Sequence, residues 1–308
     1  MMGVTGRRRD GRLEITAVFS WGFTALAVSA FLGMLLLFAV QSLPVWRHAG
    51  AGFLSGTTWF FRAGKFGVLP MVYGTAAVSA VALLLATPPG IGAAIFTAEL
   101  LPRGARRTRL AVKTAVELLA GIPSVVYGLL GVLLLRDFVL RLLARWDPLS
   151  GDTLLTGGLL LGIMVLPTII SLSDDALGGI AGSQRLAARA LGLTRAETVL
   201  QVILPQALPG LASAVLLGLG RALGETIAVF LVIGRQDNQW PERLLSLRPL
   251  TEAGQTLTSK LGGSETFLAL DDPLHWGAIT GLALVLYAGV ALVSWIGARL
   301  SLPGSGRA

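Results

Sequence analysis

Ala187-Ala188-Arg189-Ala190-Leu191-Gly192-Leu193-Thr194-Arg195-Ala196-Glu197-Thr198-Val199-Leu200-Gln201-Val202-Ile203-Leu204-Pro205 is the stretch from which the architecture can be read. It lies in a polar, charge-bearing island, residues 174–205, set between two long apolar runs. Two alanines stand side by side. A glycine follows four residues after the second, and Leu-Pro comes twelve and thirteen residues after the glycine. Small residues let a helix lie close to whatever packs on it, and a glycine four residues on ends that helix in a turn. Taken alone, the island is either an amphipathic connector between membrane spans or a helix built to dock on something else.

Working outward, composition decides the solvent. Hydrophobic residues make up 54% of the chain and charged residues 14%, roughly half the charged share of a soluble protein. Several apolar runs exceed the roughly 18 residues that span a bilayer's hydrocarbon core. The chain is read as an all-α integral membrane protein, a single membrane domain over residues 1–308. Its charge of +8 comes from basic residues dispersed among loops without aromatic interleaving, which argues against a nucleic-acid partner. With no cysteine there is no disulfide and no thiolate site. His48 and His275 are far apart and offer no metal-ligand spacing, so neither metal nor cofactor is expected. None of Lys65, Lys113 and Lys260 sits in a phosphate-cradling glycine loop, so no nucleotide site and no enzymatic activity are expected.

Six transmembrane helices are expected at residues 15–40, 68–98, 110–135, 154–172, 208–233 and 276–300. The first follows Arg7-Arg8-Arg9 like a signal peptide, but its apolar run is too long for one, so it reads as a retained span. Pro88-Pro89-Gly90 and Gly121-Ile122-Pro123 are expected to break the second and third spans. Lipid tolerates such breaks where neighbouring helices or a cavity satisfy the freed backbone. With the N-terminus in the cytoplasm, the cytoplasmic segments hold 14 Lys/Arg and 6 acidic residues, and the outer segments 10 and 9. The bias is strongest over residues 103–113, a short loop where positive charge marks the cytoplasmic side most reliably. Both termini and the 174–205 loop are therefore expected in the cytoplasm.

Three charges fall inside spans. Arg221 and Glu225, in Gly218-Leu219-Gly220-Arg221-Ala222-Leu223-Gly224-Glu225-Thr226, are four apart, hence expected on one helix face and able to pair. A charge at mid-membrane is costly and normally marks a transport path, although a bundle-knitting salt bridge fits the same spacing. Glu117 precedes the Gly121-Ile122-Pro123 step, which Ser124 and Tyr127 follow. These groups either line a polar path, or Glu117 snorkels to the nearby face.

The spacing of Ala187, Ala188, Gly192, Leu204 and Pro205 is similar to the "EAA" loop of ABC-transporter permeases, with Leu186 where that family has Glu. The resemblance implies a short cytoplasmic helix that docks in a groove of a separate ATPase subunit. Residues 66–75, then Glu117 to Gly128, then Gly218 to Thr226 with Ile227-Ala228-Val229, resemble the PstC-type permeases of the bacterial phosphate ABC importer. The likeness runs over about residues 53–300 and implies the type I ABC importer permease (MetI-like) fold in the bacterial cytoplasmic membrane. It also implies a heterodimer with a PstA-type permease, two ATP-binding subunits, and a periplasmic or lipid-anchored phosphate-binding protein. The substrate implied is phosphate, with Arg221 and Glu225 as the charged pair of its path. A permease for another oxyanion, sulfate or molybdate, is the alternative. A secondary transporter should show matching broken spans in two halves, and no convincing internal repeat is present. The long loop at residues 234–275 either contacts the binding protein or is a variable exposed loop.

Overall fold

The computed structural model describes residues 7–102, 104–146, 150–241 and 248–301, so Arg103 of the basic loop and residues 242–247 of the long loop lie outside it. Among the described residues the α-helices in chain order are α1 (Arg7–Gln41), α2 (Leu43–Ala49), α3 (Gly52–Ser55), α4 (Leu69–Ile95) and α5 (Arg106–Gly121). There follow α6 (Ser124–Leu130), α7 (Arg136–Leu142), α8 (Leu154–Gly178), α9 (Gly182–Ala190) and α10 (Arg195–Glu197). The last are α11 (Leu204–Gly224), α12 (Ile227–Val232), α13 (Leu257–Leu261), α14 (Glu265–Leu268) and α15 (Pro273–Ser301). Wider π-turns extend α4 over Phe96–Leu100, join α6 to α7 over Gly131–Leu135, and join α10 to α11 over Thr198–Ile203. A two-stranded antiparallel hairpin, β1 (Trp59–Phe60) with β2 (Lys65–Phe66), pairs Trp59 with Phe66.

Five of these paths are long and apolar enough to cross a membrane: Ala17–Gln41, Leu69–Leu100, Leu154–Gly178, Arg195–Gly224 and Pro273–Arg299. The pair Arg106–Gly121 and Ser124–Leu142, bent by 89° at the Ile122-Pro123 step, makes a sixth. The break expected there is present. The break expected at Pro88-Pro89-Gly90 is not: α4 runs through both prolines without interruption. Proline's fixed φ is already near the helical value, and only two amide donors are lost. Packing holds the helix through the gap, since a Cβ on Gly90 would lie 2.8 Å from Ile169 Cγ2.

The centre of the molecule is α4 against α8, closed over by α11 and α12. Val78, Ala82 and Ala86 of α4 are buried with Leu154, Leu161, Val165 and Ile169 of α8, Ala222 of α11 and Val229 of α12. Small residues set the approach, as expected where lipid removes the hydrophobic drive between helices. A Cβ on Gly158 would stand 2.5 Å from Val81 Cγ1. The first span is different. Its apolar window is wholly unburied, and it is fastened to α15 by Tyr287, whose hydroxyl donates to the Phe31 carbonyl at 2.8 Å and whose ring lies 4.6 Å from that of Phe31.

The end of the bundle away from α9 is closed by the long loop, which is neither a simple exposed loop nor unstructured there. Residues 254–260 are all buried. Leu257 N donates to Thr75 Oγ1 of α4 at 2.9 Å. Lys260, 3% exposed, reaches Asp237 Oδ2 at 2.7 Å and also contacts Glu265 Oε2. Glu265 Oε1 accepts from Trp59 Nε1 at 2.6 Å and from His275 Nε2 at 2.9 Å. A carboxylate only accepts, so His275 carries its proton on Nε2. His275 is stacked on Phe61, ring centroids 4.8 Å apart. This knot ties the hairpin, the long loop and the start of α15 together.

Burial alone would raise the Glu265 carboxyl, but hydrogen bonds from Lys260, Trp59 and His275 and the Lys260 charge outweigh it and hold it below the ordinary glutamate value. A carboxylate depressed in the folded state adds stability at neutral pH. That stability is lost as pH falls through the folded value. Thermal unfolding of the purified protein should therefore worsen steeply at acid pH, below the ordinary glutamate value. Glu265→Gln should cost roughly 3 kcal/mol at neutral pH, the low end for breaking a buried ion pair because Asp237 remains with Lys260. Its acid slope should be flatter. Wild-type and variant profiles that run parallel would contradict this account.

Candidate functional site

The fifth span is interrupted where its charges lie. α11 ends at Gly224, and Glu225 takes extended geometry at φ −72 and ψ 122. Its Oε1 then accepts from the Ala228 N–H at 3.3 Å, in the manner of an N-terminal cap on α12. Arg221 and Glu225 are thus not on one continuous helix face, and no ion pair joins them. The expected pairing is corrected: the chain turns away before the second charge. Arg221 instead donates from Nη1 to Thr168 Oγ1 of α8 at 2.9 Å. A guanidinium has five N–H donors. Arg221 is exposed and held by a neutral hydroxyl, so most of its fork is open to an anion.

The bend in the third span is built around Pro123. A proline there cannot donate to the Leu119 carbonyl. That carbonyl accepts instead from the Tyr127 hydroxyl at 2.8 Å and, more weakly, from the Ile122 N–H at 3.4 Å. Tyr127 is 6% exposed. Its neighbour Gly128 lies tight against α12, where a Cβ would come within 2.6 Å of Leu231 Cδ1 and 3.1 Å of Ala228 Cα. The Arg221 charge lies within electrostatic reach of the Tyr127 hydroxyl. The structure therefore brings Arg221, Tyr127 and the Glu225 end of α12 into one neighbourhood. Ser124 opens α6 half-buried. Glu117 is exposed on α5, a helix with no buried residue. It makes no hydrogen bond or ion pair with the described residues, and the structure does not bring it to Arg221.

At the other end, the quoted stretch begins in the last turn of α9 and runs through α10 and the Thr198–Ile203 π-turn into α11. Gly192 has φ +85, Gly192 N donates to Arg189 O at 3.0 Å, and Leu193 N donates to Ala188 O at 3.2 Å. These are the two bonds of a Schellman stop, which needs a left-handed residue at this point. Thr194 then starts α10 with a reciprocal cap: Glu197 N donates to Thr194 Oγ1 at 3.3 Å, and Thr194 N to Glu197 Oε2 at 2.8 Å. Ala188 is turned into the protein at 4% exposure, while Leu186 at 63%, Leu191 at 83% and Ala187 face outward. Leu204-Pro205 does not end the loop. Pro205 sits in the first turn of α11, on a helical path unbroken from Arg195 to Gly224.

The sequence carries no signal for Thr168 as the partner of Arg221, nor for an ion pair that the structure forms between Arg185 of α9 and Glu99 at the end of the second span. The partners are 53 and 86 residues apart, and no spacing rule reaches that far.

The bent third span, the interrupted fifth span and the capped helix between the fourth and fifth define a membrane permease of binding-protein-dependent transport. Residues 90–301 match the family described as "Binding-protein-dependent transport system inner membrane component", and the chain belongs to that family, a multi-pass component of the inner membrane. Within it the chain belongs with the PstC-type permeases. It is 35% identical to "Phosphate transport system permease protein PstC" of Mesorhizobium japonicum over 254 residues, 77% of this chain and 74% of that protein. It is 31% identical to the Haemophilus influenzae protein of that name over 293 residues, 89% and 90% of the two chains. "Probable ABC transporter permease protein YqgH" of Bacillus subtilis is 34% identical over 295 residues, 94% and 90%. Among solved structures, the inward-facing MetNI methionine ABC transporter aligns with TM-score 0.57 at 19% identity, over 76% of this chain and 94% of that one. A bacterial alginate ABC transporter in complex with its alginate-bound periplasmic protein aligns with TM-score 0.55 at 15% identity, over 94% and 97%. These likenesses establish the type I importer permease fold.

Proposed function

We propose that this chain is one membrane subunit of an ATP-driven importer of inorganic phosphate. The observation that carries the proposal is Arg221: a guanidinium in an apolar span, near a helix interruption, held by a hydroxyl and with no ion pair among the described residues. The names of the PstC-type relatives supply the anion. Arginine's planar fork matches a tetrahedral oxyanion. Glu225 keeps one carboxylate oxygen beyond its cap, and phosphate, unlike sulfate, retains a proton near neutral pH that this oxygen can accept. Attraction is thereby balanced so that the ion leaves again. Tyr127 and Ser124 border this passage at the α5–α6 bend, and Glu117 contributes a carboxylate farther along it.

The orientation follows the charge count: both termini and α9 in the cytoplasm. A separate ATP-binding subunit, two per complex, docks on the outward face of α9, with Ala187 and Gly192 allowing close approach and Ala188 fixing the helix from behind. Leu204 and Pro205 lie in the helical path from Arg195 to Arg221, about 40 Å at 1.5 Å per residue. Movement at the docking loop thus has a stiff route to the charge. A PstA-type permease completes the passage, and a periplasmic or lipid-anchored binding protein delivers phosphate at the far end.

The test is uptake of labelled phosphate by cells expressing the complex, with excess sulfate or molybdate as competitor. Phosphate uptake should be unchanged by either anion. Full competition by sulfate or molybdate would move the chain to another oxyanion.

A further inference from the structure

We propose that Glu99 and Arg185 form the strut through which α9 moves the membrane helices, a role that rests on reading α9 as the ATPase-docking surface. Glu99 lies in the π-turn that ends the second span, and Arg185 is on the inward ridge of α9. Arg185 Nε stands 3.0 and 3.2 Å from the two Glu99 oxygens, and Nη2 2.5 Å from Oε1. The same guanidinium donates to two carbonyls at the end of α8 and just beyond it: Nη2 to Leu177 at 2.8 Å and Nη1 to Ile180 at 2.5 Å. One side chain therefore binds α4, α8 and α9 together. Bidentate, charge-assisted bonds of this kind are strong and directional.

Little else holds α9 inward, since Ala188 is its one buried residue among those described. Beside packing of α9 on the Thr198–Ile203 π-turn, the charged tie is the direct link from the docking helix to the second and fourth spans. The pair is also shielded, with side-chain exposures of 22% for Arg185 and 8% for Glu99. α8 runs without interruption from Leu177 back to Thr168, which holds Arg221. A contiguous route thus joins α9, Arg185, the end of α8, Thr168 and Arg221. A route of contacts becomes a mechanism only when coupling along it is measured.

The experiment uses the assembled complex in membrane vesicles. Glu99→Gln, Arg185→Gln, the double variant and Arg185→Lys are compared for ATP hydrolysed and phosphate moved. Each single variant should retain co-purified ATPase subunit and hydrolysis near the wild-type rate. ATP spent per phosphate moved should rise about tenfold, in the upper part of the range for residues on a coupling network. The double variant should be no worse than either single one, and Arg185→Lys should recover part of the coupling. An unchanged ratio in Glu99→Gln overturns the proposal. Loss of assembled complex in both Glu99→Gln and Arg185→Lys overturns it too, because the pair then only holds the fold. Failure of the docking reading itself is seen separately, as normal ATPase recovery and uptake when Gly192 is altered.

Discussion

Arg221→Gln should bring phosphate uptake down by about hundredfold or more while the protein remains in the membrane with its partners. Each charge-assisted hydrogen bond contributes about 1.5–3 kcal/mol, so losing two to the anion suffices for that factor. The fold should survive. Arg221 is exposed and its contact is with a neutral hydroxyl, and Glu225 keeps its bond from the Ala228 N–H. What remains in the passage is the Glu225 carboxylate without a cation to attract the entering anion. Arg221→Lys should fall between, since it keeps the charge and loses the fork. Glu225→Gln should fold normally and release the anion more slowly, because the pull opposing Arg221 is gone. Labelled-phosphate uptake with membrane abundance measured in parallel decides the matter. Normal transport by Arg221→Gln would place the passage elsewhere, and loss of the protein from the membrane would assign the charge to holding the bundle.

Gly192→Asp should uncouple the complex, and the structure specifies how. A Cβ at Gly192 meets nothing within 4 Å, so no clash arises within the chain. The local penalty is the left-handed backbone at φ +85, of about 1 kcal/mol, since Asp tolerates this region better than most residues. The damage falls on the partner side. A negative charge is placed beside Leu191 and Ala187, on a face that the described residues leave exposed. Recovery of the ATPase subunit from detergent should drop about tenfold, which corresponds to about 1.4 kcal/mol of binding. Gly192→Ala, which brings the backbone penalty without the charge, should retain most of it. Full uptake with normal ATPase recovery in Gly192→Asp would remove the docking role from α9.

Long apolar helices were legible in composition because lipid demands them, but not their ends, since the fifth, expected at residues 208–233, runs from Arg195 to Gly224. The α9 turn was legible because only glycine sits comfortably at its stop. The bend at Pro123 was legible for the same local reason: a missing donor. Pro88-Pro89 misled, because packing of Gly90 on Ile169 outweighed the loss of two backbone bonds. The Gly224-Glu225 interruption gave only the weak signal of a glycine within a helix. Neither residue forbids a helix, and the turn is decided by α12 packing on α6 at Gly128 and on α8. Spacing alone pairs Arg221 with Glu225, four residues on, and that is not the contact formed. The partner of Arg221, Thr168, comes from another helix, and such pairings are set by three-dimensional packing. The buried Lys260–Glu265 knot was hidden in the same way, inside a loop that reads as polar and exposed.

The most direct test of the whole account is uptake of labelled phosphate by membrane vesicles holding the assembled complex, the chain's right-side-out periplasmic face supplied with binding protein. Vesicles are loaded with ATP or energised by a proton gradient alone. Accumulation should require internal ATP, proceed without the gradient, and vanish in Arg221→Gln vesicles at equal protein. Accumulation driven by the proton gradient without ATP would contradict the account and make the chain a secondary transporter.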